Sequence, residues 1–189
     1  MRKSKADAAL TRQQIVSTAA NEFRLNGITA TGIVPLMSKV GLTQGGFYKH
    51  FESKDQLVAE ACTVALEGLV TKFRMASAAG GEDGFMSIID SYLSEAHRDN
   101  QEQGCPLAAM GSELVRAGEV TRQASSQGFN DLVEVMRKSL GRLGEEQARS
   151  QAVFAMAAMV GALTMSRIML DEEAASTVLN DVKHHLSLV

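Results

Sequence analysis

Two short apolar repeats meeting at a glycine constrain this chain more than any other feature. Ile33, Leu36, Met37 and Val40 follow an i, i+3, i+4, i+7 pattern, which sets one face of a helix against a core. Pro35 fits that helix only inside its first turn, where an amide has no helical partner in any case. The N-cap therefore falls at Gly32. Gly41 stops the helix after about two turns, Leu42 pins the turn to the core, and Thr43 caps a further short helix over 44–50. Upstream, Ile15, Ala19 and Phe23, widened by Val16 and Ala20, predict a helix over 11–26. Its start rests on the capping-box spacing of Thr11 and Gln14, its end on Gly27. Two short helices joined by a tight glycine turn are the helix-turn-helix arrangement.

Downstream, Ser53 precedes a longer helix with Leu57, Ala61, Val64 and Leu69 on its apolar face. The run Ala79-Gly80-Gly81-Glu82-Asp83-Gly84 is the clearest boundary. Helical segments follow over 85–99, 106–117, 119–141, 145–169 and 171–187, separated by Gly104 with Pro106, Gly118, Gly144 and the acidic start at Asp171. No strand-like alternation of useful length and no internal repeat interrupts them. With only 2 prolines, 5% aromatics and abundant Ala, Leu and Met, composition also favours helices. The expected architecture is all-α, about nine helices: a flexible basic arm over 1–10, a helix-turn-helix domain over 11–53, a connecting helix over 54–78, and a bundle over 79–189.

Several functional classes drop out. Two cysteines make no disulfide framework, and no Cys or His cluster has zinc-site spacing. The start, MRKSKADAALTRQQ, has no apolar h-region, and the longest apolar run, 152–163, is short for a membrane span. No metal, cofactor or membrane partner is expected, and the location is expected to be cytoplasmic. The charge of −3 hides a split: residues 1–61 hold eight basic and five acidic side chains, a net +3, and the remainder carries −6. A basic end on an acidic body suits a nucleic-acid reader with a separate second function, although a few charges can fall that way by chance.

The run TGIVPLMSKVGLTQGGFYKHF at 31–51, followed by ESKDQLVAEA, resembles the DNA-binding domain of the tetracycline-repressor (TetR) family of bacterial transcription regulators. The likeness covers residues 11–60 and includes Phe23, Gly27, Thr31, Gly41, Gly45, the Phe-Tyr-Lys-His-Phe block and Lys54. A helix-turn-helix places its second helix in the major groove. Phe47 and Phe51 are expected to pack inward, leaving Tyr48, Lys49 and His50 to flank that stripe. Gln44 suits base reading, since its amide can pair with adenine. Tyr48, Lys49, His50 and Lys54 suit phosphates, as does Thr31 through its hydroxyl or backbone amide. Thr43, Gly45 and Gly46 complete the candidate surface, the glycines by permitting close approach. Against these stand plainer readings: solvated lysines, a histidine that caps its neighbour, a loose glycine turn. Pro35, Met37 and Gly46 depart from residues usual in the family.

For the second domain the resemblance implies a ligand-binding and dimerising bundle. Residues 152–169 are apolar nearly all round, as in a helix buried on several sides. Ala157 with Gly161 and Ala158 with Ala162 allow close approach of a partner helix, and Val178, Val182 and Leu186 extend that face; burial within one chain is the alternative. Such a homodimer would meet a pseudo-palindromic double-stranded operator. Met86, Tyr92, Cys105, Met110, Phe129 and Phe154 are candidates for the pocket of a small-molecule effector, the methionines also being ordinary core filler. Cys105, before Pro106, is a predicted N-cap whose thiol the helix dipole can acidify. It is thus either a redox or electrophile sensor or a structural residue, while Cys62 reads as core. The function expected is a DNA-binding regulator, a repressor released by a small ligand. The alternatives are a redox-responsive repressor acting through Cys105 and a ligand-binding dimer without DNA binding. A thiol enzyme using Cys105 and His97 lacks any supporting acid or oxyanion motif, so no catalytic residue is assigned.

Overall fold

Helix α1 runs from Lys5 to Asn26 in a computed structural model that describes residues 5–188. It starts six residues before Thr11. Ala6, Ala8, Ala9 and Leu10 are strong helix formers, and Asp7 complements the dipole in the first turn. Thr11 Oγ1 donates to the Asp7 carbonyl at 2.7 Å, so it is an interior residue and not a cap. Of the arm expected over 1–10, residues 5–10 are helix, and 1–4 lie outside the described residues.

Helix α2 (Ile33–Lys39) has Gly32 as N-cap, and α3 (Gln44–Phe47) has Thr43. Gly41 sits at φ +69°, and the amides of Gly41 and Leu42 return to Ser38 and Met37 carbonyls at 3.0 and 2.9 Å. That paired closure is the Schellman motif, which needs a left-handed residue. Helix α3 is shorter than 44–50. Beyond Phe47 the next bonds tighten to i→i−3, with Lys49 on Gly46 and His50 on Phe47 at 3.3 and 2.9 Å, before Phe51 returns to Phe47 at 3.0 Å. Gly45 and Gly46, each about 1 kcal/mol worse than Ala in a helix, leave little to sustain another α-turn.

Helix α4 (Lys54–Ala76) is capped by Ser53, whose Oγ accepts the Gln56 amide at 3.1 Å. Leu57, Ala61 and Leu69 are buried as expected, but Val64 is 42% exposed. The buried positions advance four residues at a time (57, 61, 65, 69, 73). On a 3.6-residue helix that stripe drifts by about 40° per step, carrying α4 from one core to another and leaving Val64 outside. The first core joins α1, α2, α3 and the start of α4 around Phe23, Met37, Phe47 and Phe51. The second fills the bundle.

The segment expected as one helix over 85–99 is two: α5 (Gly81–Tyr92) and α6 (Glu95–Asp99). Leu93 is buried, and Ser94 caps α6 by accepting the His97 amide at 3.2 Å. A 3₁₀ turn at Gln101–Gln103 leads to α7 (Pro106–Leu114), followed by α8 (Glu119–Ser139), α9 (Glu145–Ile168) and α10 (Glu172–Ser187). The described residues thus hold ten α-helices and no strand. Helix α7 straddles both cores, giving Met110 and Leu114 to the first and Leu107 and Ala108 to the edge of the second. Helix α9 is long and apolar enough to cross a membrane by length and composition alone, a longer reach than residues 152–163 suggest. It packs against α7, α8 and α10.

Candidate nucleic-acid interface

The second helix of the motif is held by its own aromatic residues. Phe47 and Phe51 are 0% and 2% exposed, with ring centroids 5.4 Å apart. With both rings inside, Tyr48 is turned outward, 61% exposed, its ring edge-on to Phe47 at 5.2 Å. Thr43, Gln44, Gly45 and Lys49 are exposed beside it. These five residues form a continuous surface at the start of α3 and the turn after it. A Cβ on Gly45 would meet open space, so a ligand can come close to the backbone there. Gly46 differs: its Cβ would lie 3.8 Å from Met37 Cε and 3.9 Å from Leu42 Cβ. It is half-buried, lying between the domain core and the exposed Thr43, whose Oγ1 would stand 3.9 Å from that Cβ.

Three other candidates are engaged within the protein. Thr31 is 7% exposed, and its Oγ1 donates to the Gly27 carbonyl at 2.7 Å. The hydroxyl proton expected for a phosphate is therefore spent on closing the α1–α2 turn. Lys54 is half-buried and donates from Nζ to the Ile28 carbonyl at 2.6 Å. His50 is half-buried: its backbone carbonyl accepts Arg12 Nε at 3.3 Å, and its ring centroid lies 6.4 Å from that of Phe51.

Arg12 and Arg24 were not legible as functional. Arg12 forms a bidentate pair with Glu60 at 2.5 and 2.6 Å and lies 4.5 Å over the Phe51 ring. It clamps α1 to α4 behind the reading surface. Its hydrogen bonds to Glu60 push its pKa above the ordinary arginine value. Arg24 is 7% exposed and donates from Nε to the Glu102 carbonyl at 2.6 Å, tying α1 to the segment before α7. Burial pushes its pKa below the usual arginine value. Their partners lie 48 and 78 residues away, beyond any local pattern.

A cavity of about 310 Å³ lies beyond the reading head, between α4, α5 and α6. Leu69, Phe73, Tyr92 and His97 supply its apolar and aromatic wall, and Lys72 and Gln103 its polar rim. Of the residues expected to line a pocket, Tyr92 is in the wall of this cavity. Met86 is half-buried against the bundle core, and Met110 is buried in the first core. Phe129 lines an open groove between α7, α8 and α9, and Phe154 is 59% exposed on α9.

Cys105 is the N-cap of α7 as expected, but it is 0% exposed. Burial pushes its thiol pKa up, opposite to the acidification expected from the helix dipole. His97 stands beside it. Its Nε2 accepts the Cys105 amide at 3.0 Å, so Nδ1 carries the proton and donates to the Tyr92 carbonyl at 2.8 Å. Burial brings its pKa down to about 4, so the ring is neutral near pH 7.

The candidate dimer residues divide. Ala162 and Leu186 are 4% and 2% exposed inside their own bundle, where they fill the core and are closed to a partner. Val178 and Val182 are partly buried against that core. Ala157 and Gly161 are exposed and Ala158 is half-buried. With Phe154, Met165 and Ile168, 59%, 45% and 63% exposed, they make an apolar stripe along α9.

A two-turn helix, a Schellman glycine and a second helix presenting exposed polar side chains from a closed aromatic core define a helix-turn-helix DNA-binding regulator. Residues 15–61 match the family described as "Bacterial regulatory proteins, tetR family". Residues 82–181 match "Transcriptional regulator LmrA/YxaF-like, C-terminal domain". The chain belongs to the TetR family of transcription regulators and is not an enzyme. It is similar to the HTH-type transcriptional regulator LmrA of Bacillus subtilis, 23% identical over 82% of this chain and 85% of that protein. A shorter likeness, 36% identity over 31% of this chain and 27% of the other, is to a probable acrEF/envCD operon repressor of Escherichia coli. A TetR transcriptional regulator from Chloroflexus aurantiacus superposes with a TM-score of 0.79 at 26% identity, covering 95% of this chain and 93% of that one.

Proposed function

We propose that this regulator is a homodimeric repressor, released from a pseudo-palindromic operator when a small molecule enters the α4–α5–α6 cavity. The observation that carries this reading is that one helix serves both sites. Leu69, Lys72 and Phe73 of α4 wall the cavity, and Lys54, the first residue of the same helix, is bonded to the turn that leads into α2. A ligand that displaces the cavity wall acts on a helix continuous with the reading head. It shifts operator affinity only as far as it prefers one head arrangement over the other.

The cavity chemistry favours a compact effector with an aromatic or unsaturated body and a hydrogen-bond acceptor. Phe73, Tyr92 and neutral His97 offer ring surfaces, and Lys72 is the single charged side chain in the wall. Thr43, Gln44, Gly45, Tyr48 and Lys49 are the residues assigned to DNA. The exposed α9 stripe is assigned to the dimer, with Ala157, Ala158 and Gly161 at its centre. A regulator of operator DNA works in the cytoplasm. The buried, weakly acidic Cys105 speaks against a thiol sensor, and the exposed reading surface speaks against a DNA-silent ligand binder.

Selection from a random duplex library at moderate and high salt tests the reading. An enriched two-fold motif, bound more weakly at high salt, is expected from a dimer that contacts phosphates. Folded protein that enriches no motif overturns it.

A further inference from the structure

Glu113 is the one charged residue of α7, and it sits in the last turn, where the helix dipole disfavours a carboxylate. What offsets that cost lies across the boundary between bundle and reading head. Oε2 accepts the Ile28 amide at 2.9 Å, and Oε1 accepts the Thr29 amide at 2.8 Å. Successive amides of a glycine-started turn thus converge on one anion, as in a backbone nest. Gly27 serves the arrangement twice. Its φ of +83° is left-handed, and a Cβ there would stand 2.8 Å from Glu113 Oε2.

The same turn is gripped from two more sides. Lys54 Nζ holds the Ile28 carbonyl at 2.6 Å from the start of α4, and Thr31 Oγ1 holds the Gly27 carbonyl at 2.7 Å from the approach to α2. Burial works against ionisation of Glu113. The Thr29 and Ile28 amides and the charge of Lys54 outweigh it, holding the carboxyl below the usual glutamate range. Met110 and Leu114 of α7 also pack into the core of the head. Apolar contact of that kind is non-directional, whereas two charge-assisted bonds from one planar group fix an angle.

We propose that Glu113 is a positioning residue that sets the angle of each reading head on its bundle, and with it the half-site spacing the dimer accepts. The proposal rests on the dimeric-operator reading above. One inserted base pair turns a half-site by about 34° and moves it along the axis. A head fixed by Glu113 meets that change as misfit, and a head held by apolar contacts alone adjusts to it.

The test uses the full-length protein and the selected operator, with the spacer between half-sites shortened or lengthened by one base pair. Wild type, Glu113→Gln and Glu113→Ala are compared by equilibrium binding, with folding checked by thermal melting. For wild type we expect about a 10-fold or greater loss at either altered spacer, within the usual range of coupling between sites. For Glu113→Ala the three spacers should fall within about 3-fold of one another. Glu113→Gln keeps the side-chain size and one acceptor oxygen and should lie between; it alone decides if Glu113→Ala does not fold. Variants that bind more weakly but keep the wild-type spacer dependence overturn the proposal, because a merely stabilising residue would do that. Wild type without a two-fold operator overturns the dimeric reading itself, and the assignment of Glu113 falls with it.

Discussion

At the scale of residues, the exposed side chains at the start of α3 differ in the contacts their chemistry allows. Gln44 carries an amide suited to a base edge, and Lys49 carries only charge. Gln44→Ala should cost about 1–3 kcal/mol and relax specificity at one operator position. Lys49→Ala should weaken all sequences alike and flatten the salt dependence by about one ion. Quantitative binding to a library of single-base operator variants at two salt concentrations separates the two. His97 makes a prediction of another kind. Its folded pKa of about 4 lies below the ordinary histidine value of 6.5, so the unfolded chain takes up a proton that the folded chain refuses. Stability contributed by neutral His97 is complete above about pH 6.5 and declines as pH falls toward 4, by at most about 1.4 kcal/mol per pH unit. His97→Gln can still accept from Cys105 and donate to Tyr92 without titrating. Urea unfolding of both proteins at pH 7, 6 and 5 should show a steeper acid loss in the wild type.

At the scale of elements, glycine decides both where helices stop and how closely they pack. Gly128 of α8 faces α4, and a Cβ there would stand 2.5 Å from Leu66 Cδ1 and 2.7 Å from Leu66 Cβ. Gly128→Ala should therefore cost about 1–3 kcal/mol by overpacking, despite the gain in helix propensity, and a chemical-unfolding midpoint measures it. Gly45→Ala should do the reverse. Its Cβ has open space, so α3 gains up to about 1 kcal/mol while operator affinity falls if DNA occupies that space. The ends of α2 were legible because Gly32, Pro35 and Gly41 each satisfy a local backbone requirement. The break between α5 and α6 was not, because Leu93 continues the apolar periodicity and stays buried. Nor was the start of α1, where Thr11 and Gln14 imitate a cap inside a run of good helix formers. The inward turn of Lys54 onto Ile28 and the grip of Glu113 on the same loop join residues 26 and 85 positions apart. No periodicity reports such pairs. Local chemistry made the exposed surface at the start of α3 legible as a candidate, and tertiary contact alone revealed how it is mounted.

At the scale of the whole molecule, the two small-residue pairs of α9 belong to different surfaces. Ala157 and Gly161 share an exposed stripe with Phe154, Met165 and Ile168, while Ala162 faces the bundle core with Leu163. A stripe of this kind on a 24-residue helix lets a symmetry-related copy approach closely, the same patch meeting itself about a two-fold axis. A long charged side chain at its centre would be buried twice, once in each subunit. Gly161→Arg should therefore yield a folded monomer, since a Cβ at Gly161 meets no atom of its own chain. That monomer should lose tight binding to the two-fold operator while keeping weak half-site affinity. Leu186→Ala is the internal comparison: at 2% exposure in the bundle core it should cost about 2–5 kcal/mol of fold stability without making dissociation a separate step. Sedimentation across a concentration series, together with thermal melting, distinguishes the outcomes. If Gly161→Arg remains dimeric, the assembly uses a face other than the α9 stripe, and the arrangement of reading heads proposed from it is wrong.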